Sequence, residues 1–139
     1  KKYIKPDYIQ LHGEETPIRC ENIKDKFNIP LIKGIGVKKN IDLKRHIKTY
    51  AEICDILILD APSEKLPGGN GKKFDWEILK NYKSKKKWML AGGLNINNIS
   101  EAIDITKPPA IDISSGLETI KGVKDPQLIK NFVLKCRNL

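Results

Sequence analysis

Three glycine-rich turns, each directly after an apolar run, are the part of this sequence best suited to bind a phosphate. Such turns gather backbone N–H groups around an anion, although a glycine in a tight turn needs no ligand to explain it. One turn contains Gly68, Gly69 and Gly71 and follows Asp60 in the chain. The other two come from adjacent units and predict a shared phosphate cradle, which consists of Gly92, Gly93, Ser114, Ser115 and Gly116.

Polar side chains stand where otherwise apolar runs end, namely Gln10 with His12, Asp60 and Asp112. Imidazoles and carboxylates at such positions can move protons, and a carboxylate in an apolar strand end needs donors such as substrate hydroxyls. Each residue also has a simpler explanation. Asp60 could form an Asx-turn before Ala61-Pro62, and His12 could cap a turn and pack. Position alone leaves these alternatives open.

Short apolar runs alternate along the chain with segments of helical periodicity. Strands are predicted at Tyr8–His12, Leu31–Val37, Ile56–Leu59, Trp88–Ala91 and Ala110–Ile113. Helices are predicted after Thr16-Pro17, around Leu43–Ala51, over Phe74–Tyr82, after a cap at Asn97 and from Asp125-Pro126. Five successive βα units predict parallel strands with right-handed crossovers in a single α/β domain over residues 1–139.

Two arrangements of such units compete, an open doubly wound sheet and part of a (β/α)8 TIM barrel. A doubly wound sheet usually has its phosphate turn after one strand, with a GxGxxG sequence that is missing here. Glycine-rich turns after three consecutive strands favour the barrel. In either arrangement the site lies beyond the carboxyl ends of the strands.

The composition limits the classes of partner. The 26 basic and 17 acidic residues give a net charge of +9, but the lysines are dispersed, which indicates solvated surface rather than a nucleic-acid interface. Such a charge can still steer a small anionic substrate. No apolar run approaches the roughly 20 residues that a membrane span needs. Cys20, Cys54 and Cys136 form no CxxC or metal-ligand pattern, which favours buried thiols and a reducing cytoplasm.

Several ordered motifs resemble one enzyme family over essentially the whole chain. They are Tyr8–Glu15 (YIQLHGEE), Leu57–Asp60 (LILD), Gly68–Trp76 (GGNGKKFDW), Leu90–Leu94 (LAGGL), Ile111–Glu118 (IDISSGLE) and Gly122–Asp125 (GVKD). The family is phosphoribosylanthranilate isomerase, of tryptophan biosynthesis. Asn70 departs from the family pattern, in which threonine is usual.

The resemblance implies a TIM barrel that catalyses an Amadori rearrangement without a cofactor or a metal. It assigns the general acid to Asp60, which would protonate the ribose ring oxygen. It assigns sugar contacts to Asp112 and places His12, beside Gln10, on the anthranilate side. The loop with Gly68, Gly69 and Gly71 would close over the substrate, and the cradle defined above would hold its phosphate.

The family's general base is a cysteine in a first-strand Lys-Ile-Cys-Gly segment, and no such segment occurs in this sequence. An arginine from the second unit of the family is also missing. We therefore expect this chain to be strands 4–8 of a longer barrel, and to be inactive by itself. The alternative is a non-enzymatic partial barrel that binds a phosphorylated ligand or a partner through open edges. The oligomeric state is predicted only as monomer or homodimer.

Overall fold

The computed structural model describes residues 5–37, 43–60 and 76–139, together with the backbone of two short strands at 63–65 and 72–74. The predicted closing loop with Gly68, Gly69 and Gly71 lies outside the described residues. No helix in the described ranges is long and apolar enough to cross a membrane.

Helices and parallel strands alternate through most of the chain. The helices are α1 (Pro17–Phe27), α2 (Leu43–Ile53), α3 (Ile99–Thr106) and α4 (Pro126–Arg137). The strands are β1 (Ile9–Leu11), β2 (Leu31–Gly36), β3 (Ile56–Asp60), β4 (Ser63–Lys65), β5 (Lys72–Phe74), β6 (Lys87–Ala91), β7 (Glu118–Ile120) and β8 (Val123–Lys124). Short 3₁₀ helices span Trp76–Leu79 and Ser115–Leu117.

The main sheet has four parallel strands in the order β1-β2-β3-β6. This confirms an α/β fold with a parallel sheet. Small antiparallel pairs form between β4 and β5 and between β7 and β8. Because the four main strands run in one direction, their carboxyl ends meet along one edge.

The predicted fifth strand, Ala110–Ile113, is reduced to a single parallel bridge between Leu90 and Ile111. Leu90 N–H donates to the Ala110 carbonyl at 3.0 Å, and Asp112 N–H donates to the Leu90 carbonyl at 2.8 Å. The segment cannot extend far, because Pro109 has no N–H for the ladder and the next 3₁₀ helix begins at Ser115. Its position beside β6 still brings Asp112 to the same edge.

Two predicted helix details were wrong. The helix predicted over Phe74–Tyr82 is a 3₁₀ helix over Trp76–Leu79, and Asn81 follows it with a left-handed φ of 62°. The cap residue of α3 is Asn98 rather than Asn97. Asn98 accepts the Asn95 N–H instead of capping the helix with its side chain, because it supports the preceding turn.

The other predicted helix starts are confirmed. Thr16 Oγ1 accepts the Arg19 N–H at 3.2 Å, and Pro17 occupies the first turn of α1. Asp125 accepts the N–H groups of Gln127 and Leu128 at the start of α4. Side-chain acceptors at these positions satisfy N–H groups that have no partner inside the helix.

The core lies between the helices and one face of the sheet. Side chains alternate along β2, where Leu31 and Ile35 join the core together with helix residues such as Ile47 and Tyr50. Lys33 lies between them on the same face and is also buried. The opposite face carries Gly34 and Asp60 and is therefore the face on which polar site residues can collect.

Candidate active site

His12 and Asp60, which are 48 residues apart in the chain, meet at the carboxyl edge of the sheet. His12 Nε2 lies 3.4 Å from Asp60 Oδ2, and Gln10 Nε2 lies 3.2 Å from His12 Nδ1. The exposed fractions of His12 and Asp60 are 47% and 36%, so both side chains remain open to a ligand. The three predicted residues thus form one chain of polar contacts from β1 to β3. An imidazole beside a carboxylate is suited to proton transfer.

Gly34 creates the space for the His12 ring. A Cβ on Gly34 would lie 2.7 Å from His12 Nδ1 and 2.8 Å from its Cγ, which is closer than real contacts allow. The imidazole therefore lies directly over the glycine of β2 and reaches Asp60 on β3. Gly34 is part of a predicted strand but is not among the predicted site residues. Its signal in the sequence was a glycine inside an apolar strand, which often marks a close approach.

The two predicted cradle turns contact each other. Gly92 and Gly93 have φ angles of 98° and 55°, a region that favours glycine. Asn98 Nδ2 donates to the Gly93 carbonyl at 3.0 Å and fixes this turn. A Cβ on Gly116 would lie 1.9 Å from the Leu94 carbonyl oxygen, so the second turn packs directly on the first. This proximity of the two turns is what a shared anion cradle requires.

Lys124, which is not among the predicted site residues, stands beside this pair of turns. Lys124 Nζ donates to Ser114 Oγ at 2.9 Å and forms an ion pair with Glu118. The hydrogen bond from Lys124 holds the pKa of Glu118 below its usual range. The hairpin of β7 and β8 thus brings a cation to the second turn. Lys124 belongs to the Gly122–Asp125 motif, but it was not predicted to be a site residue.

Asp112 and Ser115 complete the predicted set within the described residues. Asp60 of β3 pairs with Ala91 of β6. The Leu90–Ile111 bridge places Asp112 beside Ala91, on the side of β6 opposite Asp60. Asp112 is half-buried, whereas Ser115 is exposed in the 3₁₀ helix that contains Gly116. The carboxylates of Asp60 and Asp112 therefore lie at the edge that also carries the two turns.

The cysteines lie away from this edge. Cys20 is in α1, Cys136 is in α4, and Cys54 precedes β3 at its amino end. Burial raises the pKa of all three thiols, that of Cys54 to about 12. Cys20 and Cys54 are buried, as predicted, whereas Cys136 is only partly buried. In the described part of the chain no cluster of three or more His, Cys, Asp or Glu side chains could hold a metal ion.

A groove of about 1090 Å³ opens at the opposite, amino-terminal edge of the sheet. None of the predicted site residues lines it. Its charged lining includes Glu52, Asp55 and the lysines Lys44, Lys48, Lys83, Lys85, Lys86 and Lys87. The catalytic groups of parallel α/β folds lie at the carboxyl ends of strands, so we place the candidate site at His12 and Asp60 rather than in this groove.

Comparison with known families decides the relationship of this chain. The sequence model of the N-(5'-phosphoribosyl)anthranilate isomerase family matches residues 1–135. The chain belongs to this family. An N-(5'-phosphoribosyl)anthranilate isomerase from Paracoccus denitrificans is 43% identical over 137 residues, which are 96% of this chain and 63% of that relative.

Solved structures of the phosphoribosylanthranilate isomerase family show the same fold. The isomerase from Thermotoga maritima is 37% identical and superposes with a TM-score of 0.74 over 96% of this chain and 62% of its own. Another isomerase, in complex with reduced 1-(o-carboxyphenylamino)-1-deoxyribulose 5-phosphate, is 34% identical with a TM-score of 0.74 over 96% of this chain and 60% of its own. The chain thus spans a little under two thirds of the length of these family members.

Proposed function

We propose that the protein containing this chain isomerises N-(5'-phosphoribosyl)anthranilate to 1-(o-carboxyphenylamino)-1-deoxyribulose 5-phosphate. The observation that carries the proposal is the His12–Asp60 contact at the edge that also holds the paired glycine turns. This edge would combine a proton donor for opening the ribose ring with an anion cradle that holds the substrate phosphate. A family member that binds the reduced product supports the same substrate class.

Asp60 is proposed as the general acid. It would donate a proton to the ribose ring oxygen as the C1–O bond breaks, and the anthranilate nitrogen lone pair would form the C=N bond of a Schiff base. A base would then remove the proton from C2, and the resulting enolamine would tautomerise to the ketone. The family resemblance assigns that base to a cysteine in a Lys-Ile-Cys-Gly segment, which is not among residues 1–139.

The remaining residues are proposed to bind substrate. His12 and Gln10 would contact the anthranilate side, and Asp112 would accept hydrogen bonds from sugar hydroxyls. The phosphate would bind the backbone N–H groups of the cradle, with Lys124 adding positive charge near Ser114. The loop with Gly68, Gly69 and Gly71 would close over the site and exclude water. Neither a cofactor nor a metal takes part in these steps.

We further propose that the whole protein is a (β/α)8 barrel to which this chain contributes strands 4–8. The helices pack on one face of the parallel sheet and the polar site residues lie on the other, as a barrel wall requires. A cytoplasmic location and a monomeric or homodimeric state stay predictions.

An isomerisation assay tests the proposed function. The whole protein should convert phosphoribosylanthranilate to the ketose product, which is followed by chromatographic separation of the two isomers. Residues 1–139 expressed alone should give no turnover, because their thiols lie away from the carboxyl strand ends. Phosphate binding without turnover in the whole protein would instead support the non-enzymatic alternative. Turnover by residues 1–139 alone would contradict the assignment of the base.

Replacing Gly34 with alanine should lower kcat/KM by about tenfold, because the new Cβ displaces the His12 ring from Asp60. Gly122→Ala, which lies outside β2, is the control, since no heavy atom of the described residues lies within 4 Å of its Cβ position. Steady-state kinetics of both variants check this, with thermal unfolding to confirm that each is folded. Equal kcat/KM in the two variants would show that the position of the His12 ring does not matter.

A further inference from the structure

Lys33 is a buried cation that the proposed reaction does not use. Its side chain is only 3% exposed. It lies between Leu31 and Ile35 on the same face of β2 and therefore faces the helix layer, away from the substrate side of the sheet. Lysines are rarely buried to this extent unless they are paired, so its surroundings require an explanation.

The ammonium group of Lys33 is held by the loop that joins β1 to α1 and by its own strand. Nζ donates to the Gly13 carbonyl at 2.8 Å, to Glu15 Oε2 at 3.0 Å and to the Gly34 carbonyl at 2.9 Å. It also lies 5.5 Å from the centroid of the Tyr50 ring. A lysine has three N–H donors, and here each has an acceptor.

Glu15 completes the connection from the other side. Its carboxylate accepts the Gly13 N–H at 3.1 Å, and Tyr50 donates its hydroxyl to the Glu15 carbonyl at 2.9 Å. The hydrogen bond from Lys33 holds the pKa of Glu15 below its usual range, so the carboxylate is ionised at neutral pH. Both backbone polar groups of Gly13 are thus tied to this ion pair.

The ion pair reaches His12 by two short routes. Gly13, whose N–H and carbonyl are held by the pair, is the residue directly after His12. Gly34, whose carbonyl accepts from Lys33, is the residue on which the His12 ring lies. Lys33 and His12 are therefore on opposite faces of β2 and share Gly34 between them.

We propose that Lys33 and Glu15 are a positioning pair that fixes the β1–α1 loop and thereby directs the His12 imidazole toward Asp60. The inference rests on the proposed function and deepens it, because it assigns the orientation of a substrate-side residue to side chains that never touch substrate. Removal of the pair would free Gly13, and the ring of His12 would sample positions out of contact with Asp60.

A second ion pair in the same fold provides the comparison. Lys24 Nζ also donates to a backbone carbonyl, that of Ile53 at 2.8 Å, and to Asp55 at 3.0 Å. Lys24 and Asp55 are each 38% exposed and lie at the amino-terminal edge of the sheet, away from His12. This pair has the same chemistry without a connection to the site, so Lys24→Met is the matched control for Lys33→Met.

The test combines NMR of the His12 ring with steady-state kinetics in the whole protein. His12 is one of two histidines in residues 1–139, and His12→Gln identifies its ring ¹⁵N signals by their loss. Lys33→Met and Glu15→Gln should each shift or broaden those signals and lower kcat by about 10- to 100-fold, and KM should rise because His12 is proposed to contact the substrate. Lys24→Met should alter neither the signals nor kcat, even where it lowers the melting temperature.

Glu15→Gln keeps the hydrogen bonds from Lys33 to the Gly13 and Gly34 carbonyls. It therefore tests the positioning role if Lys33→Met does not fold. Unchanged His12 signals and kcat in a folded variant of the pair would overturn the proposal. So would failure of both variants to fold while Lys24→Met folds, because the pair would then be a core element only. The NMR signals need no substrate, so they test the positioning role even if the wild-type protein does not isomerise phosphoribosylanthranilate.

Discussion

Replacing Asp60 with asparagine should reduce kcat for the isomerisation by about 10²- to 10⁴-fold, the range that a positioned general acid contributes. Asparagine has nearly the same shape as aspartate but cannot deliver a proton to the ribose ring oxygen. It can still form a hydrogen bond with His12, whose Nε2 lies 3.4 Å from Asp60 Oδ2 in the native site. The loss should therefore be chemical rather than structural.

Binding measurements separate a loss of proton donation from a loss of site structure. The affinity of Asp60→Asn for reduced 1-(o-carboxyphenylamino)-1-deoxyribulose 5-phosphate should change little, because the phosphate cradle is formed by other segments. Asp104→Asn is the control, since Asp104 is an exposed carboxylate on α3 that forms an ion pair with Lys107. Full turnover by Asp60→Asn would contradict the role of Asp60, and loss of product binding with kcat unchanged would assign it to binding instead.

Features that depend on local sequence were predictable. Alternating apolar runs and caps such as Thr16 and Asp125 specified the β1–β3 and β6 strands and the starts of α1 and α4. Strand ends also specified which polar residues collect at one edge, since parallel strands share a direction. His12, Asp60 and Asp112 were placed together by this rule alone.

Features that depend on cross-strand register were not predictable. Gly34 and Lys33 are adjacent in β2, yet one supports the His12 ring and the other holds the loop behind it. Which neighbour they meet follows from the pairing of β1 with β2, which no short motif encodes. Lys124 was missed for a similar reason, because a hairpin brings it back to Ser114 from ten residues away.

The second large effect is expected from Gly116→Ala. The added Cβ would lie 1.9 Å from the Leu94 carbonyl oxygen and 3.0 Å from Asn95 Cα, and both are backbone atoms that cannot rotate aside. The two turns must separate, and overpacking of this kind costs about 1–3 kcal/mol in the free energy of unfolding. Since the same turns form the proposed phosphate cradle, KM for the phosphorylated substrate should rise by about tenfold or more, for a loss of ~1.4 kcal/mol of binding.

Gly122→Ala separates the steric effect from simple backbone strain. Gly122 has a φ of 85°, so alanine is strained there, but within the described part of the chain no heavy atom lies within 4 Å of its Cβ position. It should lower the free energy of unfolding by about 1 kcal/mol and leave KM unchanged, because only a hairpin turn is affected. Denaturant unfolding and steady-state kinetics of the two variants provide the comparison. If Gly116→Ala lowers stability but keeps the native KM, the contact between the turns supports the fold alone and the phosphate binds elsewhere on this edge.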